Sequence, residues 1–270
     1  MEIDRSTGAA AMRRALAALL GVFIFGSACA DAADAPVRKI AVTSLIGDVL
    51  TIDTYRKRTS SHIENNLQQI VPSGTAAFDL AALAAARGPI ARVFPSAEIA
   101  LLAVPAANSD LDPTRAIVDG TTVAPTGALV GALRREGFTH LLMIVKHRAL
   151  AHLQLVGQTV GSGQLQGLGF YVDNELPVYQ AETHETGRGF LAPYVYVRLW
   201  LVDVASLQVI GEKTVTASTT RANYVGLSPW DAMSSEAKVA LLTDMVSKNV
   251  GAAMASLLES KSGSASASKP

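Results

Sequence analysis

Cysteine is all but missing from this chain: among 270 residues there is one, Cys29. No pair exists to form a disulfide, and once residues 1–30 are removed there is no thiol to act as nucleophile or metal ligand. Charge of one sign is missing too. Lys+Arg and Asp+Glu each total 23, so no basic field holds nucleic acid by counterion release. No polybasic run draws the chain to an anionic membrane surface. HExxH spacing and the GxSxG nucleophile elbow do not occur, and no internal repeat is evident.

What is present is apolar bulk: 49% of the residues are hydrophobic and 17% charged, a balance that fits a well-buried core. The N-terminus has three parts. Arg13 and Arg14 precede the apolar run ALAALLGVFIF (Ala15–Phe25), and the small residues GSACADAADA follow. That is the layout of a secretory signal peptide over 1–30, cleaved after Ala30 with small residues at Ala28 and Ala30; cleavage after Ala32 fits nearly as well. The run is shorter than the roughly 20 residues a spanning helix needs. Removal takes three basic and two acidic residues, leaving 20 positive and 21 negative charges and a net charge of −1. Cys29 allows a second outcome. Gly26-Ser27-Ala28-Cys29 partly matches a lipobox, with Gly26 where such boxes carry Leu, which makes Cys29 a candidate lipidation site and the only route to a membrane. The expected location is the periplasm, or the outer membrane as a lipoprotein.

After a tether over 31–37, one domain is expected over 38–259, with a disordered tail over 260–270 (KSGSASASKP from Lys261). KIAVTSL (Lys39–Leu45) and VLTIDTY (Val49–Tyr55) flank Ile46-Gly47-Asp48 and predict a hairpin. Phe78–Arg87 predicts a helix stopped by Gly88-Pro89, and Glu98–Val104 a buried strand. Pro125–Glu136 predicts a second helix capped by Gly137, leading into the strand Phe138–Arg148. Tyr194, Tyr196, Arg198 and Trp200 alternate with Val195, Val197, Leu199 and Leu201, the period of a strand, and Gln208–Thr219 completes a hairpin. A long C-terminal helix is expected to begin at Ser228-Pro229-Trp230-Asp231. Leu242, Met245, Val246, Val250, Ala253, Met254 and Leu257 form its core stripe. The fold class is therefore α+β (α/β layered): a mixed, mostly antiparallel sheet packed on helices, including the C-terminal one.

Residues 160–174 read VGSGQLQGLGFYVDN, with glycines at 161, 163, 167 and 169. A phosphate cradle needs a helix start directly after the glycines, and often a Lys-Ser or Lys-Thr. Here Phe170-Tyr171-Val172 favours a strand, and Pro177 follows. The stretch is instead expected to form an extended hairpin or Gly-rich flap at about 157–192. It is either a partner-binding or self-association surface carried by Gly167, Gly169, Phe170, Tyr171 and Tyr179, or a mobile loop without a role. No cofactor is expected. His147, His152 and His184, with Glu182 and Glu185, are weak metal candidates without tight ligand spacing. Asp48 and Asp53 are a carboxylate pair whose spacing promises no geometry.

LVDVASLQVIGEKTV (Leu201–Val215) has the order apolar strand, Asp, turn, strand. With the preceding elements, over roughly 37–218, it resembles envelope α/β domains of two kinds: the curli-export channel protein, and the outer-membrane lipoproteins that activate penicillin-binding proteins. That resemblance implies a non-catalytic envelope protein acting through another envelope protein or self-association, and it carries no functional residues over. An exported hydrolase or metal-dependent enzyme is the alternative, and a periplasmic small-molecule or lipid carrier, with its pocket between sheet and final helix, a further one.

Overall fold

A computed structural model describes residues 39–57, 66–74, 76–102, 117–118, 122–123, 127–155, 157–179, 184–223 and 228–266, with 117–118, 122–123, 127–128 and 261–266 described by backbone alone. The elements are β1 (Lys39–Leu45), β2 (Val49–Thr54), β3 (Leu67–Pro72), α1 (Ala77–Val93), β4 (Glu98–Leu102), β5 (Ile117–Val118) and β6 (Thr122–Val123). They continue with α2 (Gly127–Arg135), β7 (His140–Lys146), β8 (Arg148–Leu150), β9 (Leu153–Leu155), β10 (Gln158–Val160), β11 (Gln164–Tyr179), β12 (Thr186–Asp203), β13 (Val209–Ser218), β14 (Arg221–Ala222) and α3 (Ser235–Ser266). The architecture is α+β, a mixed and mostly antiparallel sheet packed on helices.

β12 is the spine of the sheet. Along one edge it pairs antiparallel with β11 through residues 186–196 and with β7 through 197–203; along the other it pairs with β13 and β14. From β7 the sheet continues, in parallel, to β1 and then β4. From β11 it continues to β2 and then β3. The sheet thus forks into two half-sheets that share one strand.

β1 and β2 both run opposite to β12, so Ile46-Gly47-Asp48 is a kink in one direction of travel, and the expected hairpin does not form. Two features explain this. β1 is buried on both faces, as a parallel central strand is, and takes partners on both edges. The bend itself is held by Asp79 in the first turn of α1: its Oδ1 accepts the Ser44 hydroxyl at 2.5 Å and the Ile46 amide at 3.1 Å, and its Oδ2 the Gly47 amide at 3.2 Å. Gly47 supplies the positive φ, +77°.

Alternation sorts the sheet residues into two cores. Ile40, Val42, Leu142, Ile144, Leu168, Phe170, Val195 and Val197 face α1 and α3, where Phe78, Ala82, Ile90, Leu242, Val246 and Met254 are fully buried. On the reverse face, Leu141, Met143, Trp200 and Val202 pack beneath Leu133 of α2. Tyr171, Phe190, Tyr194 and Tyr196 lie beneath Leu153 and Leu155 of the β9–β10 ribbon. Each fully buried aliphatic or aromatic side chain stabilises the fold by about 1.5–3 kcal/mol. Among the described residues, these side chains pack the face of the sheet that meets α3.

Three boundaries differ from expectation. α1 does not stop at Gly88-Pro89 but runs to Val93 with Pro89 inside it. Pro89 removes one helical N–H, yet Ala86 and Ile90 are both buried on either side of it, and tertiary packing outweighs the local break. β4 is a half-exposed edge strand, because β1 is its only partner among the described residues. α3 starts at Ser235, not at Ser228: the Ser234 hydroxyl accepts the Ala237 amide at 3.2 Å, the N-cap bond. Ser228 closes only a local turn through the Trp230 amide, and that turn packs Trp230 edge-on against Phe170, centroids 5.5 Å apart. At its far end α3 continues to Ser266, past the expected limit at 259. Propagating an anchored helix adds one bond per residue without a new nucleus.

Candidate functional site

Strand register brings together one carboxylate that spacing along the chain could not place. Asp53 of β2 lies opposite Gln68 of β3 and beside Tyr171 of β11. Two residue pairs further along, Thr51 is level with Gly169 of β11, which in turn is level with Tyr194 of β12. Gly169 has no side chain, so the Tyr194 ring crosses over it and reaches the second strand away. The Tyr194 hydroxyl donates to Asp53 Oδ2 at 2.7 Å, and Gln68 Nε2 donates to Oδ1 at 2.7 Å. Asp53 is fully buried. Burial pushes its pKa up, and the Tyr194 and Gln68 bonds only partly offset that. Burial, then the Asp53 charge, raise the Tyr194 phenol well above its usual value.

Gln68, which holds Asp53, also lines a cleft. Asn66, Gln68, Gly163 and Gln164 line about 200 Å³. Asn66 Nδ2 donates to the Ser162 carbonyl at 2.6 Å, and the Ser162 amide donates to the Tyr171 hydroxyl at 3.1 Å, which ties the lip to the buried tyrosines. Gly163 has φ +77°, and a Cβ there would stand 3.0 Å from Asn66 Nδ2, so glycine permits both the turn and the close approach. Gln68 also reaches the Gln164 carbonyl at 3.5 Å.

The glycine stretch therefore has two uses. Gly161 and Gly163 form the turn that becomes the lip of the cleft. Gly167 and Gly169 lie inside β11, where neighbouring side chains fill the space they leave: a Cβ would stand 2.9 Å from Lys146 Cδ at Gly167 and 2.6 Å from the Tyr194 hydroxyl at Gly169. Of the extended hairpin or flap expected at 157–192, the hairpin forms between β11 and β12, and the surface placed on it is the correction. β11 and the first part of β12 are inner strands, with Gly167, Gly169, Phe170 and Tyr171 all buried. Tyr171 stacks on Phe190, centroids 5.8 Å apart. Of the expected surface residues only Tyr179 is exposed, at the hairpin tip, where its hydroxyl lies 2.8 Å from His184 Nδ1.

The three candidate histidines do not meet. His147 donates its amide to the Tyr196 carbonyl, whereas His184 sits just before Thr186. The ten residues of strand between Thr186 and Tyr196 span roughly 30 Å. His152 is exposed, and its backbone amide donates to the Tyr196 hydroxyl at 3.4 Å. His147 Nδ1 lies 3.0 Å from Arg198 Nη2; guanidinium has no acceptor, so Nδ1 accepts and the ring proton sits on Nε2. Burial, then the Arg198 charge, lower the His147 pKa. Among the described residues no group of three or more His, Cys, Asp or Glu is arranged to hold a metal ion. Cys29 and Glu182 lie outside the described residues.

Asp48 and Asp53 do not form a pair. Asp48 is at the kink near Lys146, whose pKa is lowered by burial, with Asp79 and Asp48 pulling the other way. Asn66, Gln68 and Tyr194 carry no motif, and only the register of β3, β2, β11 and β12 places them at one site.

No protein-family model matches the chain, and no curated protein matches it in sequence. Among solved structures it is similar to the PelC dodecamer from Paraburkholderia phytofirmans, at 12% identity over 82% of this chain and 86% of that one, TM-score 0.27. It is also similar to lipoprotein GNA1162 from Neisseria meningitidis, at 10% identity over 78% of this chain and 99% of that one, TM-score 0.25. TM-scores this low do not establish a shared fold.

Proposed function

We propose that the chain is an exported cell-envelope protein whose domain works by binding other protein chains rather than by catalysis. Support for export is the n-region, apolar run and small-residue site within residues 1–30. Support for binding is the open edge at β3. That strand, LQQIVP, pairs only with β2 among the described residues, carries no charge, and leaves Leu67 48% and Ile70 70% exposed. Natural edge strands are usually guarded by charge or cover, and an unguarded one is a template for an added strand.

The test is expression with the native N-terminus in a Gram-negative host. The expected product is periplasmic and begins at Asp31, or carries an acyl group on Cys29. A photo-crosslinker at Ile70 is expected to trap a protein partner or a second copy, while one at Leu80, exposed on α1, is not. An unprocessed cytosolic chain, or equal crosslinking from both positions, overturns the proposal.

A further inference from the structure

We propose that the cleft at Asn66, Gln68, Gly163 and Gln164 is a binding site for a small primary ammonium group, which enters by displacing the Gln68 amide from Asp53. The cleft, at about 200 Å³, is below the roughly 300–1,000 Å³ of sites for drug-sized molecules, so it suits a short amine or the end of a longer one.

The donor–acceptor inventory selects the chemistry. Asp53 is fully buried, and a buried carboxylate ordinarily has a cation as partner. Among the described residues, this one has only the neutral donors Tyr194 and Gln68. Asn66 Nδ2 directs one of its N–H groups to the Ser162 carbonyl. Gln68 is exposed, sits on the edge strand β3, and its Nε2 is held only by Asp53 and, at 3.5 Å, the Gln164 carbonyl. When Gln68 swings out, two acceptors face the vacated space, Asp53 Oδ1 and the Gln164 carbonyl. An ammonium brings three donors and the missing charge. A hydroxyl brings one donor and no charge, and an anion would face the Asp53 charge with no cation among the described lining residues to hold it. Among the described residues no aromatic side chain lines the cleft to stack a ring.

The experiment follows backbone and side-chain amide NMR signals of the folded domain while n-butylammonium, putrescine, 1-butanol or butyrate is added. The two amines are expected to shift the Asn66, Gln68 and Gln164 signals saturably; the alcohol and the acid are not. Asp53→Asn is expected to weaken amine binding roughly ten- to a hundredfold, the loss of one charge-assisted hydrogen bond. Asp244→Asn, on the exposed face of α3, leaves binding unchanged. Gln68→Ala removes the competing amide and is expected to tighten binding, which keeps the test decisive should Asp53→Asn unfold the domain. Absence of saturable amine shifts overturns the proposal, as does equal response to 1-butanol, unchanged affinity in folded Asp53→Asn, or loss of binding in Gln68→Ala.

Discussion

The Tyr194 hydroxyl and the Asp53 carboxylate, 141 residues apart in sequence, are 2.7 Å apart in space because Gly169 lies between them with no side chain. A Cβ on Gly169 would stand 2.0 Å from the Thr51 carbonyl and 2.6 Å from that hydroxyl. Gly169→Ala must therefore part β2 from β11 or expel the phenol. It is expected to destabilise by about 3 kcal/mol, at the upper end for overpacking. Gly131→Ala is the matched control: nothing lies within 4 Å of its Cβ position in the α2 interior, and it is expected to stabilise by about 0.5–1 kcal/mol. Urea unfolding of both variants checks the opposite signs.

Tyr194→Phe leaves Asp53 buried with Gln68 as its one remaining donor. The expected cost is about 1–3 kcal/mol, the penalty of an unmade bond at a buried group. The variant's Asp53 pKa is expected to rise further, since the lost bond favoured the charged form. Unfolding free energies, together with the carboxyl shift followed by NMR, test both effects.

Asp53→Asn isolates the carboxylate's effect on pH dependence. Asp53 titrates above its ordinary 3.8 when folded, so above 3.8 the folded state keeps a proton that the unfolded chain has released. Raising the pH through that window therefore costs stability. The difference in unfolding free energy, wild type minus Asp53→Asn, is expected to fall as pH rises from below 3.8 past the folded value. A difference that rose instead would contradict the desolvated placement of Asp53.

Arg198→Gln removes a cation beside His147. The His147 pKa is expected to rise towards 6.5 without reaching it, because burial, the larger cause of its depression, remains. Imidazole NMR titration of both proteins reads the change directly.

Local patterns in the sequence were enough to identify most of the elements but not the site. Val195, Val197, Leu199 and Leu201 alternate with Tyr194, Tyr196 and Trp200, and that period survives intact in β12 because one set faces α1 and α3 and the other faces α2 and β9. The α3 stripe was legible for the same reason. Gly47 was misread because a glycine turn that reverses a chain and one that merely bends it look alike locally; the Asp79 side chain decides, from more than thirty residues away. Gly167 and Gly169 suggested flexibility, but their physical role is to make room for Lys146 and Tyr194. Asn66, Gln68 and Asp53 become one site only through the pairing of β3, β2, β11 and β12, information that no short window contains.

The late position of the spine in the chain has a consequence for biogenesis. β12 begins at Thr186, so its pairings with β7 and β11 cannot form until most of the polypeptide has been synthesised. Such long-range closure is slow, because chain entropy must be lost before the distant contacts compensate. Until then β7 and β11 have no shared partner strand to align them.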